Sequence, residues 1–278
     1  MMAGERLRDF SKLCIHTITT KNWSLEEDIS HYAEAGVAGI TVWRDALDGW
    51  NISKAGESIR KAGLEVVSLC RGGFFPAERQ QDRKKAIDEN LKFIDESAEL
   101  GAPLVVLVCG AVPGIELEAA RDQIRAGIEA ILPRAESLGI KLGIEPLHPM
   151  YADSRSAINT LKQGNDMCEA IGSESLGVVV DVYHLWWDPN LESEIERAGR
   201  MGKILAFHIS DWKTPTEDLL NDRGLMGEGC IPIRKIRGWT ETAGFNGYNE
   251  VEIFSKKRWA GSMSEFLADI KEAYLNHS

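Results

Sequence analysis

Four ionisable residues sit at the ends of short apolar runs in the second half of the chain. Glu145 closes Leu142-Gly143-Ile144, Asp181 closes Val178-Val179-Val180, His208 closes Ile204-Leu205-Ala206-Phe207, and Glu252 lies between Val251 and Ile253. Two glutamates, an aspartate and a histidine aimed at one point form a mixed oxygen and nitrogen shell. Such a shell suits a divalent ion, Mn²⁺ first, with Co²⁺, Mg²⁺, Fe²⁺ and Zn²⁺ also compatible. Without a cation, three crowded carboxylates would repel one another until one took up a proton. A dication removes that conflict and can polarise a substrate carbonyl or a pair of hydroxyls. Any one of the four, taken alone, reads as a strand-end polar group satisfied by loop amides. Four at the same place on four successive runs point to a metal site.

The elements that must carry these residues repeat along the whole chain. Amphipathic helical stretches close on Gly36, Gly63, Gly101, Gly139, Gly172, Gly202 and Gly244, and a short apolar run follows each. Glycine just past a helix end is the common left-handed cap, and short β-branched runs are the pattern of buried parallel strands. With Leu13-Cys14-Ile15-His16 at the start, eight such runs alternate with helices, for example over 82–100 and 117–138. Ser24, Ser53 and Ser156 are suitable N-caps, and Pro133 is expected to kink its helix. Eight β/α units without a linker-like tract predict one α/β domain over residues 1–278, a closed (β/α)₈ TIM barrel, whose strand C-termini carry chemistry. An open doubly wound sheet is the alternative, but no G-x-G-x-x-G turn follows the first strand.

Composition narrows the partners. The chain has 278 residues, 44% hydrophobic and 27% charged, with 32 Lys+Arg against 43 Asp+Glu for a net charge of −11. That balance argues against nucleic-acid binding. Five scattered cysteines without CxxC spacing argue against a disulfide framework and for a reducing compartment. Glu5, Arg6, Arg8 and Asp9 stand where a signal peptide would need an apolar run, and no stretch is long enough to span a membrane. A cytoplasmic location is expected.

The segments Gly143-Ile144-Glu145-Pro146-Leu147-His148-Pro149, Asp181-Val182-Tyr183-His184, Phe207-His208-Ile209-Ser210-Asp211 and Glu250-Val251-Glu252-Ile253-Phe254 together resemble the xylose isomerase-like TIM-barrel superfamily. Within it, they are most like the sugar phosphate isomerase/epimerase group that includes the ketose 3-epimerases. The resemblance implies that Glu145, Asp181, His208 and Glu252 ligate the metal, and that Glu145 and Glu252 act as acid and base on opposite faces of a sugar. It also implies that His184 contacts substrate oxygens. The epimerases carry an Arg soon after the His of the seventh strand. Here a longer insertion, 212–226, precedes Gly227-Glu228-Gly229, so Lys213 or Arg223 takes that place. The loop Glu-Pro-Leu-His-Pro-Met-Tyr and the later Asn-Asp-Arg-Gly are similar to the large subunits of C-glycoside deglycosidases, which are metal-dependent lyases with a small partner subunit.

His148, held between Pro146 and Pro149, could face the metal as a third candidate base or simply cap its loop. Trp187, Trp212 and Phe254 are the aromatic residues best placed to pack on a sugar. Arg44 and Arg71, on early strands, could hold an anion or pair with acids such as Asp45. The glycines of Gly227-Glu228-Gly229 could approach a ligand closely. The function expected is proton abstraction beside the carbonyl of a ketose or keto-sugar, giving isomerisation or epimerisation. The alternatives are elimination from a 3-keto-glycoside and, more remotely, sugar binding without catalysis. A nuclease of the endonuclease IV type would need more histidines than six and a basic groove. A homo-oligomer is compatible with this fold.

Overall fold

The computed structural model describes residues 4–278. Eight parallel strands close into a barrel: β1 (Leu13–His16), β2 (Gly39–Trp43), β3 (Glu65–Gly73), β4 (Leu104–Val108), β5 (Lys141–Ile144), β6 (Leu176–Asp181), β7 (Ile204–Ile209) and β10 (Asn249–Val251). β10 pairs with both β7 and β1, which seals the sheet. Two short strands, β8 (Asp211–Trp212) and β9 (Arg223–Gly224), form an antiparallel ribbon outside it. The principal helices of the outer ring are α1 (Leu25–Glu34), α2 (Ile52–Lys61), α3 (Gln80–Leu100), α4 (Leu117–Leu138), α5 (Leu161–Ile171), α7 (Leu191–Arg200), α8 (Ile233–Thr242) and α10 (Met263–His277), with single-turn helices α6 (Val182–Leu185) and α9 (Lys256–Trp259) between them. Among the described residues no helix is long and apolar enough to cross a membrane.

All seven helix-closing glycines adopt positive φ, from +66° at Gly202 to +95° at Gly244. They turn the chain inward, so each strand starts within a few residues of a helix end. Ser24 caps α1 in a full capping box with Glu27. The other two expected caps are displaced. Asn51 rather than Ser53 caps α2, because its side chain already accepts the Lys54 N–H, and Thr160 rather than Ser156 caps α5, boxed with Gln163. α4 remains helical through Pro133.

Two apolar regions flank the sheet. The larger lies between strands and helices and takes Val105, Leu107, Leu142, Ile144, Val178, Val180 and Phe207; the smaller, inside the barrel, takes Cys70, Leu104, Val106, Val179 and Ala206. Strand residues alternate between these faces. Carried forward two residues, the inward positions 143, 179 and 206 become Glu145, Asp181 and His208. Across the lumen the inward set is polar: Thr41 Oγ1 lies 3.4 Å from Cys14 Sγ, 3.1 Å from Ser68 Oγ and 2.6 Å from Glu250 Oε2. The barrel is therefore apolar on its β4–β6 side and hydrogen-bonded on its β1–β2–β10 side.

Candidate metal centre and active site

Register brings the four strand-end residues together. Asp181 pairs with His208 across β6 and β7, His208 pairs with Glu250 across β7 and β10, and the Glu252 amide donates to the Ile209 carbonyl at 3.2 Å. On the other side, the Glu145 amide donates to the Leu107 carbonyl at 3.0 Å. One ligand atom from each of Glu145, Asp181, His208 and Glu252 lies within 4.8 Å of all the others. Donors bound at about 2.1 Å to a common ion stand at most about 4.2 Å apart, so the set fits a dication after sub-ångström adjustment. The four residues are at most 4% exposed, so water does little to neutralise their charge.

Cations and hydrogen bonds within the chain do so instead. Arg223 Nη1 is 2.7 Å from Glu252 Oε2 and 3.2 Å from Asp181 Oδ2. His16 Nδ1 is 3.3 Å from Glu252 Oε1, and its Nε2 is 3.2 Å from Glu250 Oε2. Burial alone would push the Glu252 carboxyl up, but Arg223 and His16 outweigh it and hold Glu252 well below the ordinary range. Asp181, equally buried and farther from Arg223, is raised by that burial, with Arg223 opposing and Glu252 and Glu145 adding to the rise. Burial disfavours the His16 cation, yet its bonds to Glu250 and Glu252 raise it to about 9.

His208 Nδ1 faces Glu145 Oε1 at 3.0 Å, while its Nε2 turns toward Glu250 at 3.8 Å and has no hydrogen-bond partner among the described residues. One ring nitrogen toward a metal and the other toward a carboxylate is the usual way a protein aims a ligating imidazole. Glu250 also accepts from Thr41 and from His16, so a single buried carboxylate bonds one histidine and faces the other. Sequence reasoning did not single out Glu250 or Thr41. The signal was present: Glu250 shares its inward parity with Glu252.

The insertion over 212–226 brings Arg223, not Lys213, to this point. The ribbon β8–β9 and the Arg223 amide bond to the Phe254 carbonyl (2.9 Å) anchor it beside Glu252. Lys213 pairs with Asp222 and leaves the site. Arg223 packs over the Tyr183 and Phe254 rings at 4.4 and 5.0 Å, and its Nη2 is 3.1 Å from His184 Nε2. Burial, then Arg223, keeps His184 neutral, and its Nδ1 has no hydrogen-bond partner.

A narrow cavity opens onto Glu145 and Glu252 and is walled by Trp43, Arg71, Tyr151, Arg155, His184, Arg223 and Phe254. Of the expected aromatic contacts only Phe254 lines it. Trp187 and Trp212 stand outside, in a cluster with His148, whose ring centroid is 5.7 and 4.9 Å from theirs. His148 Nδ1 accepts the Met150 amide at 3.2 Å, so the imidazole caps the turn Pro149–Tyr151 and belongs neither to the four-residue cluster nor to the cavity wall. Burial lowers its basicity. Gly227-Glu228-Gly229 does not line this cavity either. Asp211 accepts the Gly227 and Gly229 amides at 2.9 Å each, and a side chain on Gly229 would strike the Trp212 carbonyl. Arg44 pairs with Glu89 and Glu96 of α3 rather than with Asp45.

Comparison with known proteins places this geometry. The model of the xylose isomerase-like TIM barrel matches residues 29–270. An inosose isomerase of Bacillus velezensis is 25% identical over 94% of this chain and 95% of its own length. The crystal structure of protein SMc04130 from Sinorhizobium meliloti 1021 superposes with a TM-score of 0.92 at 46% identity, over 96% of this chain and 98% of that one. The structure of the IOLI protein with a bound zinc atom shares the fold at a TM-score of 0.83 and 21% identity, over 95% and 97% of the two chains.

Proposed function

The chain belongs to the xylose isomerase-like TIM-barrel family, and from that premise we propose that it is a divalent-metal-dependent sugar isomerase or epimerase. The reaction is transfer of a proton on the carbon beside a carbonyl of a ketose or keto-polyol. One observation carries this reading. Of the four clustered residues, Glu145 and Glu252 line the cavity, whereas Asp181 and His208 lie behind them with no exposure. Similarity to an inosose isomerase supports the substrate class, and the zinc atom of the IOLI structure supports a metal.

Glu145, Asp181, His208 and Glu252 would hold the ion, Mn²⁺ or Zn²⁺ being the first to test. When bound, it would supply Lewis-acid polarisation of the substrate carbonyl and neutralise charge developing on oxygen. The carboxylate of Glu145 or Glu252 removes the proton from carbon as the electron pair moves toward the carbonyl oxygen. Delivery of a proton to the former carbonyl carbon, with the neighbouring hydroxyl proton passing to the former carbonyl oxygen, gives the isomer; delivery by the other glutamate of its own proton to the opposite face of the same carbon gives the epimer. Arg223 holds Glu252 in its carboxylate form. His184 and Arg223 contact substrate oxygens, and Phe254 with Trp43 packs on the carbon skeleton. The outer cluster of His148, Trp187 and Trp212 shapes the rim.

The test is deuterium wash-in from D₂O, with inososes and ketoses offered together with Mn²⁺ or Zn²⁺. Exchange at the carbon beside the carbonyl should occur in the native protein and be lost in Glu145→Gln and Glu252→Gln. Binding without exchange would instead identify a sugar-binding protein, and undiminished exchange in both variants would remove the glutamates from the reaction.

A further inference from the structure

We propose that Arg71 and Arg155 form an anion-binding subsite facing the paired glutamates, so that the substrate is a keto-sugar or keto-polyol bearing a carboxylate or phosphate rather than a neutral sugar. This rests on the proposed reaction for its substrate class, though not for the existence of the subsite.

Two guanidinium groups line one cavity, and among the described residues neither is ion-paired within 4.0 Å. Arg71 follows Cys70 on β3, where the lumen wall meets the mouth, and Arg155 follows the turn Pro149–Tyr151. Both line the cavity that exposes Glu145 and Glu252. Arg71 stacks against Trp43 and Phe74, at 5.6 and 4.7 Å from their ring centroids, and Arg155 against Tyr151 at 5.6 Å. Those rings fix the planes of the guanidinium groups and satisfy none of their N–H donors. Arg71 Nη1 is buried with no hydrogen-bond partner, and among the described residues neither arginine is within 4.0 Å of a carboxylate.

The remaining cations near the mouth behave differently. Arg223 is ion-paired with Asp181 and Glu252, Lys213 with Asp222, and Arg44 with Glu89 and Glu96. Burial, and then the nearby charge of Arg155, hold Arg71 below the usual arginine range, so the pair is electrostatically uncomfortable as it stands. The Arg155 backbone is tied at both ends: its amide donates to the Tyr151 carbonyl and its carbonyl accepts from Gly110, each at 2.9 Å. The fold thus holds two like charges together at a ligand cavity. Planar, multidentate donors of this kind match the oxygens of a carboxylate or phosphate. An anion there would fix the substrate's distal end while its carbonyl faces the glutamates.

The experiment uses the full-length protein with its metal. Titration calorimetry is run with D-fructose, D-fructose 6-phosphate and D-fructuronate, which separate neutral, phosphate and carboxylate forms, on the native protein and on Arg71→Met, Arg155→Met and the milder Arg71→Lys. At least one anionic form should bind at least tenfold more tightly than D-fructose, and this preference should collapse to within about threefold in both Met variants. Whichever anionic form shows the preference names the group. An equal affinity for the three forms in native protein, or a preference that survives in both Met variants, would overturn the subsite. An anion held only by the metal would survive both Met substitutions and falls in that second outcome. Deuterium wash-in on the same panel separates the two claims. Arginine-dependent anion binding without exchange keeps the subsite and rejects the reaction; exchange without an anionic preference keeps the reaction and rejects the subsite.

Discussion

The two sides of the barrel mouth solve the problem of buried charge in opposite ways. On the side of β5, β6, β7 and β10, every ionised group has partners within about one hydrogen bond: Glu145 with His208 at 3.0 Å, Glu252 with Arg223 at 2.7 Å, and His16 with Glu250 at 3.2 Å. On the side of Arg71 and Arg155, two cations face the glutamates across one cavity, stacked on aromatic rings and, among the described residues, without a carboxylate within 4.0 Å. Buried charge is costly unless it is paired, and the acidic wall meets that cost within itself, whereas the half-buried arginines keep free donors. Size is no guide to either. Larger clefts lie between α3 and α4 and beside the segment 227–235, away from the clustered acids.

The contrast can be broken most forcefully on the acidic side. Glu145→Gln and Glu252→Gln should each lower the rate of proton exchange by roughly 10²- to 10⁴-fold, the usual range for a positioned general base, with the fold retained by circular dichroism. If the anchoring of His208 and His16 by Glu250 is real, Glu250→Gln should weaken metal affinity by about 10- to 100-fold, read by competition with a chromophoric chelator. Glu250 does not line the cavity, so an unchanged affinity would reduce it to a structural residue.

Arg223→Met sharpens the comparison by removing the cation that compensates two carboxylates at once. The metal-stripped variant should melt well below the native protein, and added Mn²⁺ should recover more of its thermal stability than it adds to the native chain. A melting curve indifferent to the substitution would mean that Asp181 and Glu252 do not depend on that guanidinium.

A buried carboxylate remote from the metal centre supplies the control, with the smallest effect. Asp28 on α1 is 1% exposed and meets the Thr20 hydroxyl at 2.6 Å, with no cation in contact. Burial raises its pKa to about 8. The folded chain therefore keeps this proton as pH rises from about 4 to about 8, while the unfolded chain loses it, and the group's contribution to stability falls across that window. Asp28→Asn should raise the melting temperature by a few degrees at pH 8 relative to the native chain, with the gain shrinking toward pH 4. A gain of equal size at both values would show that Asp28 does not titrate there.

How much of this was legible depended on regularity. The seven glycine caps and eight apolar runs gave the barrel because both signals are local and periodic. Glu145, Asp181, His208 and Glu252 stood out because each interrupts an apolar run at a strand end. Glu250 was hidden by its place before Val251, although the two-residue period of a strand gives it the same direction as Glu252. Arg155 and Tyr151 lie in an irregular loop, where sequence carries no period to read. His148 misled for a related reason: flanking prolines fix the direction of a loop without saying which direction, and here the ring turns to cap its own turn and to pack on Trp187 and Trp212. Lys213 and Arg223 were equivalent in sequence, and only the β8–β9 ribbon distinguishes them.

The central claim is that one dication joins Glu145, Asp181, His208 and Glu252. Titration calorimetry of chelator-stripped protein with Mn²⁺ and with Zn²⁺ tests it most directly. The account predicts saturable binding of one ion per chain, abolished or weakened at least a hundredfold in Asp181→Asn. No saturable binding of either ion, or the same affinity and stoichiometry in Asp181→Asn as in the native chain, would contradict it.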